Sequence, residues 1–385
     1  MKDHRCARRA VLLTSASFAG YNIGSGFATG IEALQFFGSW GAARACAGIL
    51  IAAAVAAVVL GAVYVTGYEQ QFDDSKKVYR YFCGKRVGVL FDGYIYLSMI
   101  VVTLTMLSGA GATISQYSGL PAYVGSVLMG VACVVTSFLG LEKLRKVLGY
   151  MCVLIVVLVF ACGVYGAVTV DPSALWDTAA VEGYVASGRI LRASAFGVIN
   201  PYLSGLASAG LLIGSGFAWA SATGTLCASK KEAVLSGVFS SVFFYAATAV
   251  VVYLLLLLMD RVAGKEVPML AVIQYLLPGC SAAYSCVIIL AIFSTISGRL
   301  FLIKERYGRG DPVRGAVLVT AITVFATAFA AIIPFSRLSN IMFSICGAVG
   351  IVLSAVVLLR FCLRKQPKAA ASCPVEAEAD EDPPR

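Results

Sequence analysis

Two copies of one glycine-rich segment are the residues best suited to bind a solute. Residues 19–28 read AGYNIGSGFA and residues 209–218 read AGLLIGSGFA, so eight of the ten positions are identical. Glycine weakens an α-helix, and each copy lies inside a long apolar stretch. A helix broken there would free backbone N–H groups on one side of the break and carbonyl groups on the other, which can hold an anion and a cation without charged side chains.

Close helix packing is the alternative use of the same glycines. Gly20 and Gly24 have the GxxxG spacing, which lets two membrane helices approach each other. Because the segment occurs twice, each time with a serine between glycines, we favour broken helices in both copies. Lipid cannot hydrogen-bond the freed backbone groups, so each break would line a water-filled cavity.

Glu32 is a second candidate for chemistry, because it is the one acidic residue predicted within the first helix. An ionisable side chain inside a membrane helix is a candidate functional group by default. Glu32 follows Gly26 by about 9 Å of helix, toward the predicted outside. We expect either an outer gate with Arg337 or a role in proton coupling. The alternative is a structural carboxylate that reaches the membrane surface.

The residues that enzymes and metal centres need are missing from the sequence. The single histidine is His4, none of the 12 cysteines belongs to a CxxC pair, and no GxxxxGK[ST] motif occurs. Paired carboxylates at helical spacing are also lacking within the apolar stretches. We therefore expect no enzyme, no cofactor, no nucleotide hydrolysis and no metal apart from a coupling sodium ion.

The composition excludes a soluble fold. Of the 385 residues, 59% are hydrophobic and 13% are charged, against roughly 45–50% and about 25% in soluble domains. If the N terminus is cytoplasmic, most of the 30 basic residues fall on the cytoplasmic side, as the positive-inside rule requires. The net charge of +10 thus indicates membrane orientation, and we expect a cell-membrane protein that binds no nucleic acid.

Ten membrane helices are predicted. Nine stretches without charged residues are each long enough to cross about 30 Å of hydrocarbon. They are residues 10–31, 45–68, 93–141, 147–170, 193–229, 233–259, 267–298, 315–336 and 338–359. The third contains two helices separated by the turn sequence SGLP at 118–121. An even count places both termini in the cytoplasm.

Turn residues predict two further boundaries. Asn200 and Pro201 form a helix N-cap and first-turn proline, so a helix begins there. The Pro-Gly pair at 278–279 divides a short segment, which begins at Pro268, from a full helix.

The repeat predicts the organisation of the whole chain. Its copies lie in helices 1 and 6, which are five helices apart and therefore cross the membrane in opposite directions. The predicted fold is an all-α polytopic membrane protein with ten transmembrane helices in a 5+5 inverted repeat, helices 1 and 6 being broken mid-membrane. The predicted parts are a cytoplasmic N-terminal tail (1–9), a first repeat (10–170), an external loop (171–199), a second repeat (200–362) and a disordered cytoplasmic tail (363–385).

With these features the chain resembles the amino acid–polyamine–cation transporter superfamily, which has the LeuT-type fold. The run GSGFATGIE at 24–32, followed by Gln35, Phe36 and Phe37, is most similar to the YkvI-type membrane proteins. The resemblance covers about residues 8–365. It implies a secondary transporter that works by rocking helices 1, 2, 6 and 7 against the rest of the bundle.

The resemblance also implies site residues. The amides of the first break would receive a substrate carboxylate, and the second break would form the opposite wall. The implied substrate residues are Gly24, Ser25, Gly26, Ile213, Gly214, Ser215, Gly216 and Phe217. A sodium ion would be held by backbone carbonyls of helix 1 and by the A-x-x-[ST]-[ST] element of helix 8. The implied sodium residues are Gly20, Ile23, Ala291, Ser294 and Thr295.

Two positions depart from the sodium-dependent pattern. Phe27 stands where some relatives have an asparagine for a second sodium ion. Arg299 follows Thr295 by one helical turn. Its side chain either places a fixed positive charge near the ion position, which would make transport sodium-independent, or marks the cytoplasmic end of the helix, and we favour the second interpretation.

The predicted function is sodium-coupled symport of a small carboxylate-bearing or zwitterionic solute, an amino acid, by alternating access. The alternatives are proton-coupled or ion-independent transport and a non-transporting substrate sensor on the same scaffold. The expected partners are the lipid bilayer and the small-molecule substrate, and the oligomeric state stays open.

Overall fold

The computed structural model describes residues 2–23, 25–72, 75–139, 157–307 and 311–363. Over these ranges the chain is helical, without a β-strand. The helices are α1 (Lys2–Asn22), α2 (Ser25–Thr29), α3 (Ile31–Phe36), α4 (Ala42–Gln70), α5 (Ser75–Ser118), α6 (Ala122–Leu139), α7 (described over Val157–Thr169), α8 (Thr178–Ala186), α9 (Pro201–Gly224), α10 (Lys230–Leu257), α11 (Met259–Val262), α12 (Pro268–Leu276), α13 (Ser281–Tyr307), α14 (Pro312–Ala330) and α15 (Phe335–Leu363). Short 3₁₀-helices cover Gly38–Trp40, Pro172–Trp176 and Pro278–Cys280.

Seven helical stretches in the described part of the chain are long and apolar enough to cross a membrane. They are Ala42–Gln70, Arg86–Ser118, Pro201–Gly224, Lys230–Leu257, Pro278–Phe301, Val313–Ala330 and Phe335–Leu363. The chain is therefore a multi-pass membrane protein. Two more apolar helices, Ala122–Val135 and Val157–Thr169, are shorter over the described residues. The count of ten, the 5+5 repeat and the sidedness of the termini stay predictions.

The helix boundaries predicted from turn residues are confirmed. The Asn200 side chain accepts hydrogen bonds from the backbone N–H groups of Tyr202 (2.9 Å) and Leu203 (3.2 Å), so it caps α9. Gly119 has φ +76° between α5 and α6. The Pro-Gly pair at 278–279 lies between α12 and α13. In each case the boundary follows from a side-chain cap, a left-handed glycine or a proline, which act locally.

Two segments predicted without helices are helical. Residues 2–9, predicted as a tail, continue α1. α5 begins at Ser75, between the predicted membrane helices at 45–68 and 93–141, and bends at Gly84 (φ 76°, ψ 174°). In that segment Val78 and Phe82 are buried while Lys77 is exposed. Apolar residues one turn apart make the basic segment an amphipathic helix. The predicted tail at 363–385 lies outside the described residues beyond Leu363.

The first copy of the repeated segment interrupts its helix, as predicted. α1 ends at Asn22, and α2 begins at Ser25 after the non-helical Ile23. α2 itself ends after five residues, because Gly30 has φ +76° and separates it from α3. The first helix therefore consists of three pieces with two interruptions. Gly24 lies outside the described residues.

The second copy does not interrupt its helix, so the prediction of a broken helix 6 is wrong for this structure. α9 is continuous from Pro201 to Gly224. A Cβ added at Gly210 would lie 2.5 Å from the carbonyl oxygen of Gly347 in α15, and one at Gly216 would lie 2.5 Å from the ring of Phe18 in α1. These glycines are required by close packing, which was the alternative interpretation of the motif.

Close backbone contacts also join α4 to α9 and α10. A Cβ added at Gly205 of α9 would lie 2.5 Å from the carbonyl oxygen of Gly48 in α4, and one at Gly237 of α10 would lie 2.5 Å from the backbone nitrogen of Gly61 in α4. Ser15 of α1 donates a hydrogen bond to a carbonyl of α10 (3.1 Å). Helices α1, α4, α9 and α10 thus form one tightly packed unit.

Candidate functional site

The carbonyl groups around α2 already have hydrogen-bond donors. The Thr29 hydroxyl donates to the Gly26 carbonyl (3.0 Å), and the Gly30 N–H donates to the Phe27 carbonyl (3.0 Å). The hydroxyl of Tyr284, fully buried in α13, donates to the Ala28 carbonyl (2.7 Å). Sequence reasoning missed Tyr284, because no local pattern links it to a residue 256 positions away.

The two copies of the repeat contact each other beside the first interruption. The Ser215 hydroxyl of α9 donates to the Asn22 side-chain carbonyl (2.7 Å), and the Asn22 amide donates to the Phe18 carbonyl (3.0 Å). The rings of Tyr21 and Trp219 stack at a centroid distance of 4.8 Å and an angle of 8°. Asn22 therefore closes the end of α1 and ties it to α9.

Only part of the predicted wall at 213–217 faces the first helix. Ser215 and Gly216 contact α1. The Phe217 ring packs instead on Tyr79 (5.0 Å) and Phe82 (5.6 Å) of α5. Successive residues of a continuous helix point about 100° apart, so five consecutive residues cannot share one face.

The two other residues of that wall are Ile213 and Gly214. Ile213 is fully buried. A Cβ added at Gly214 would meet Gly350 of α15 at 3.9 Å, and α1 is not within its reach.

Glu32 lies beside the first copy of the segment. A Cβ added at Gly26 would lie 3.1 Å from Glu32 Oε2 and 3.9 Å from the Phe343 ring. Across the described residues, no hydrogen bond or ion pair holds the Glu32 carboxylate. The gate, the proton-coupling role and the structural carboxylate stay predictions.

The predicted gate between Glu32 and Arg337 is not formed in this structure. Arg337 is exposed at the start of α15, whereas Glu32 turns inward toward Gly26. The residue before Arg337, Ser336, is bound by Glu266. The Glu266 carboxylate accepts hydrogen bonds from the Ser336 backbone N–H (2.7 Å) and from the Ser336 hydroxyl (3.0 Å).

A polar cluster, which we call the loop cap, joins the 171–199 segment to the residues that follow α3. Glu182 Oε1 accepts from Arg192 Nη2 (2.8 Å) and Arg44 Nη1 (3.2 Å). Arg192 also donates to the Ser39 carbonyl (2.8 Å) and lies 4.0 Å from the centre of the Trp40 ring. The hydrogen bond from Arg192 holds the pKa of Glu182 below its ordinary value, and the charges of Arg192 and Arg44 add to the effect.

Two amides extend the loop cap to α15. Asn340 donates to the Arg192 carbonyl (3.0 Å) and to the Gln35 side-chain carbonyl (3.2 Å), and Gln35 donates to the Ser336 carbonyl (2.8 Å). The cap thus fastens α3 to α15 at the end of the bundle that is predicted to face outward.

Arg299 turns back into the bundle near the predicted ion position. Its Nη1 donates to the Thr295 carbonyl (3.0 Å). Side chains of an α-helix point toward its N-terminus, which directs Arg299 back along α13. Both interpretations of Arg299, a fixed positive charge and a marker of the helix end, stay predictions.

For three other predicted sodium residues the structure shows how buried they are. Gly20 is half-buried in α1, while Ile23 and Ala291 are buried. The Ser294 side chain lies outside the described part of the structure, and so does that of Ser25. Among the described residues, no three or more His, Cys, Asp or Glu side chains form a group that could hold a metal ion.

Comparisons with known proteins give only distant similarity. No protein family and no curated protein matches the chain. Two mutant structures of the Eremococcus coleocola manganese transporter have TM-scores of 0.48 and 0.47 at 14% identity, covering 90% of this chain and 78% and 77% of theirs. A third structure, in complex with an aromatic bis-isothiourea substituted compound, has a TM-score of 0.43 at 13% identity, with 90% and 85% covered. Similarity this low transfers neither a fold nor a cargo.

Proposed function

We propose that the chain is a secondary transporter that moves a small zwitterionic solute, an amino acid, by alternating access. The interruption of the first helix at Ile23 carries this proposal. A membrane helix normally satisfies its own backbone hydrogen bonds, and an interruption is tolerated where it is buried in protein or lines a polar cavity. Broken helices of this kind form the binding sites of many secondary transporters.

The packing of the bundle indicates which helices would move together. Close contacts join α4 to α9 and α10, and α1 packs on α10, so these four helices can move as one body. Because α9 also packs closely on α15 at Gly210 and Gly347, a rocking movement of this body would slide α9 along α15. The loop cap holds α3 against α15 at one end. Release of the cap would then accompany opening toward that end.

Sodium is the first hypothesis for the coupling ion. Its ligands would be the carbonyls of Gly20 and Ile23 together with Ala291, Ser294 and Thr295. Proton coupling through Glu32 is the alternative if transport follows pH and not sodium.

Ion-independent transport is the second candidate, and Arg299 favours it. Its guanidinium reaches the Thr295 carbonyl (3.0 Å), so a permanent cation lies next to one of the proposed sodium ligands. Two cations at this position would repel each other. Under this candidate Arg299 replaces the coupling ion.

Uptake by purified protein in liposomes tests these proposals. A thermal-shift screen of the twenty amino acids, with and without sodium, selects the solute, and its uptake is then measured in sodium and in potassium. Uptake that requires sodium supports symport. Equal uptake in both salts, together with loss of activity in Arg299→Ala and its retention in Arg299→Lys, supports the fixed cation. Binding without uptake of any amino acid would contradict transport and favour a sensor.

A further inference from the structure

We propose that Glu32 recognises an ammonium group of the cargo, so that the site selects solutes with a primary or substituted ammonium and excludes anions that lack one. This inference rests on the proposed function only in taking the bound solute to be the cargo. It follows from the position of Glu32, from its aromatic surroundings and from the absence of another use for its charge.

The carboxylate lies against the start of α2, the helix that begins after the interruption at Ile23. Glu32 Oε2 is 3.1 Å from the position that a Cβ would take on Gly26. The amides of this segment were expected to bind a substrate carboxylate, but the Glu32 carboxylate would repel a second negative charge there. The negative side chain instead suits the positive end of a zwitterion.

Two aromatic rings lie close to the carboxylate. The Phe343 ring lies 3.9 Å from the Cβ position on Gly26 that Glu32 Oε2 approaches to 3.1 Å, and it packs on Phe36 with a centroid distance of 5.5 Å. Aromatic rings attract ammonium groups electrostatically, and a carboxylate beside them adds an opposite charge.

The backbone carbonyl groups near Glu32 are less available to a cation, because they already accept hydrogen bonds. The carbonyls of Gly26, Phe27 and Ala28 each accept a hydrogen bond within the protein. An ammonium group that enters beside α2 would therefore find Glu32 as its strongest acceptor.

The basic side chains of the surrounding elements are engaged or distant. Arg192 is paired with Glu182, Arg299 donates to Thr295, and Arg337 is exposed. A partly buried carboxylate without a counter-charge is costly. A cationic ligand would supply that counter-charge.

Ligand-dependent thermal stabilisation of the purified full-length protein tests the inference. The probes are leucine, N-acetyl-leucine and isopentylamine, and alanine, N-acetyl-alanine and ethylamine as a second series. We expect the amino acids and the amines to stabilise the protein, and the N-acetyl compounds to have no effect. In Glu32→Gln the affinity for the ammonium compounds should fall at least about tenfold, because a charge-assisted hydrogen bond is lost. Glu32→Asp, which keeps the negative charge, should retain part of the wild-type affinity for the ammonium compounds.

Glu232→Gln is the matched control. Glu232 is also a buried glutamate, but it accepts from the Ala228 N–H (3.2 Å), next to Ser229, which caps α10. The side-chain carbonyl of glutamine can accept the same hydrogen bond. This variant should bind every probe as the wild type does.

Several outcomes would overturn the inference. Equal binding of the N-acetyl compounds, unchanged affinity in Glu32→Gln, protection by sodium chloride alone, or no stabilisation by any ammonium probe would each do so. If the protein takes up carboxylic acids that lack an amino group, and Glu32→Gln does not change this uptake, the inference is wrong but the protein is still a transporter. Binding that depends on Glu32, without uptake in liposomes, would support the inference while the proposed function fails.

Discussion

The two copies of the repeated segment share eight of ten residues and have different structures. Residues 19–28 end one helix and begin another, whereas residues 209–218 lie within the continuous helix α9. The differences within the segment are at positions 21 and 22, where Tyr and Asn replace two leucines. Asn22 bonds back to its own helix, and its partner Ser215 belongs to the other copy.

The residues after the segment differ more strongly. The first copy continues with Thr29, Gly30 and Glu32, and the second with Trp219, Ala220 and Ala222. Gly30 takes a left-handed conformation (φ +76°), whereas alanine favours a continued helix. A glycine-rich motif thus permits either a break or a close contact, and its neighbours decide between them.

The largest effect is expected for glycines of the second copy that contact backbone. In Gly210→Ala the new Cβ would lie 2.5 Å from the Gly347 carbonyl oxygen and 2.7 Å from the Ile351 nitrogen. Because backbone atoms cannot move aside cheaply, we expect the free energy of unfolding in detergent to fall by about 3 kcal/mol.

Gly214→Ala is the control for this prediction. Its Cβ would lie 3.9 Å from Gly350, and alanine favours the helix by up to about 1 kcal/mol. We expect an unchanged or slightly more stable protein. Equal losses in Gly210→Ala and Gly214→Ala would mean that close packing does not explain the continuous α9.

The next effect concerns Gly30, which separates α2 from α3. Gly30→Ala should cost about 2 kcal/mol, because a left-handed alanine costs about 1–2 kcal/mol and its Cβ would lie 2.5 Å from Met269 Cγ. Ala220→Gly changes the equivalent position of the second copy and should cost about 1 kcal/mol without breaking α9. Chemical denaturation measures both, and a greater loss in Ala220→Gly would contradict the proposed role of Gly30.

The comparison also shows what the sequence could predict. Asn200, Gly119 and the Pro-Gly pair at 278–279 define boundaries by local chemistry, and the structure has them where they were predicted. The continuity of helix 6 was not predictable locally, because Gly210 is explained by Gly347, more than a hundred residues away. The approach of Glu32 to Gly26 was likewise not predictable from helical spacing, because Gly30 ends α2 between the two residues.

A smaller effect is expected at the hydrogen bond between the copies. Ser215→Ala removes the 2.7 Å bond to Asn22 and should cost about 1 kcal/mol or less, since Ser215 is exposed. A double-mutant cycle with Asn22→Ala isolates the pair, and we expect a coupling energy of about 0.5–1 kcal/mol. Additive single effects would show that the two copies are not coupled through this bond.

The smallest effect is expected at the loop cap. The cap holds α3, which follows the first copy of the segment, whereas α9 has no such cap among the described residues. The ion pair of Glu182 and Arg192 (2.8 Å) involves a carboxylate that is 43% exposed, so screening limits its contribution to about 0.5 kcal/mol. Because folding lowers the pKa of Glu182, this contribution is fully present above the ordinary glutamate pKa of about 4.3 and is lost as pH falls through the lower folded value. The stability difference between wild type and Glu182→Gln, measured by denaturation, should therefore be present at about pH 6 and shrink as the pH falls below about 4. If the stability difference persists at low pH, neutral hydrogen bonds and not the ion pair account for the stabilising effect of Glu182.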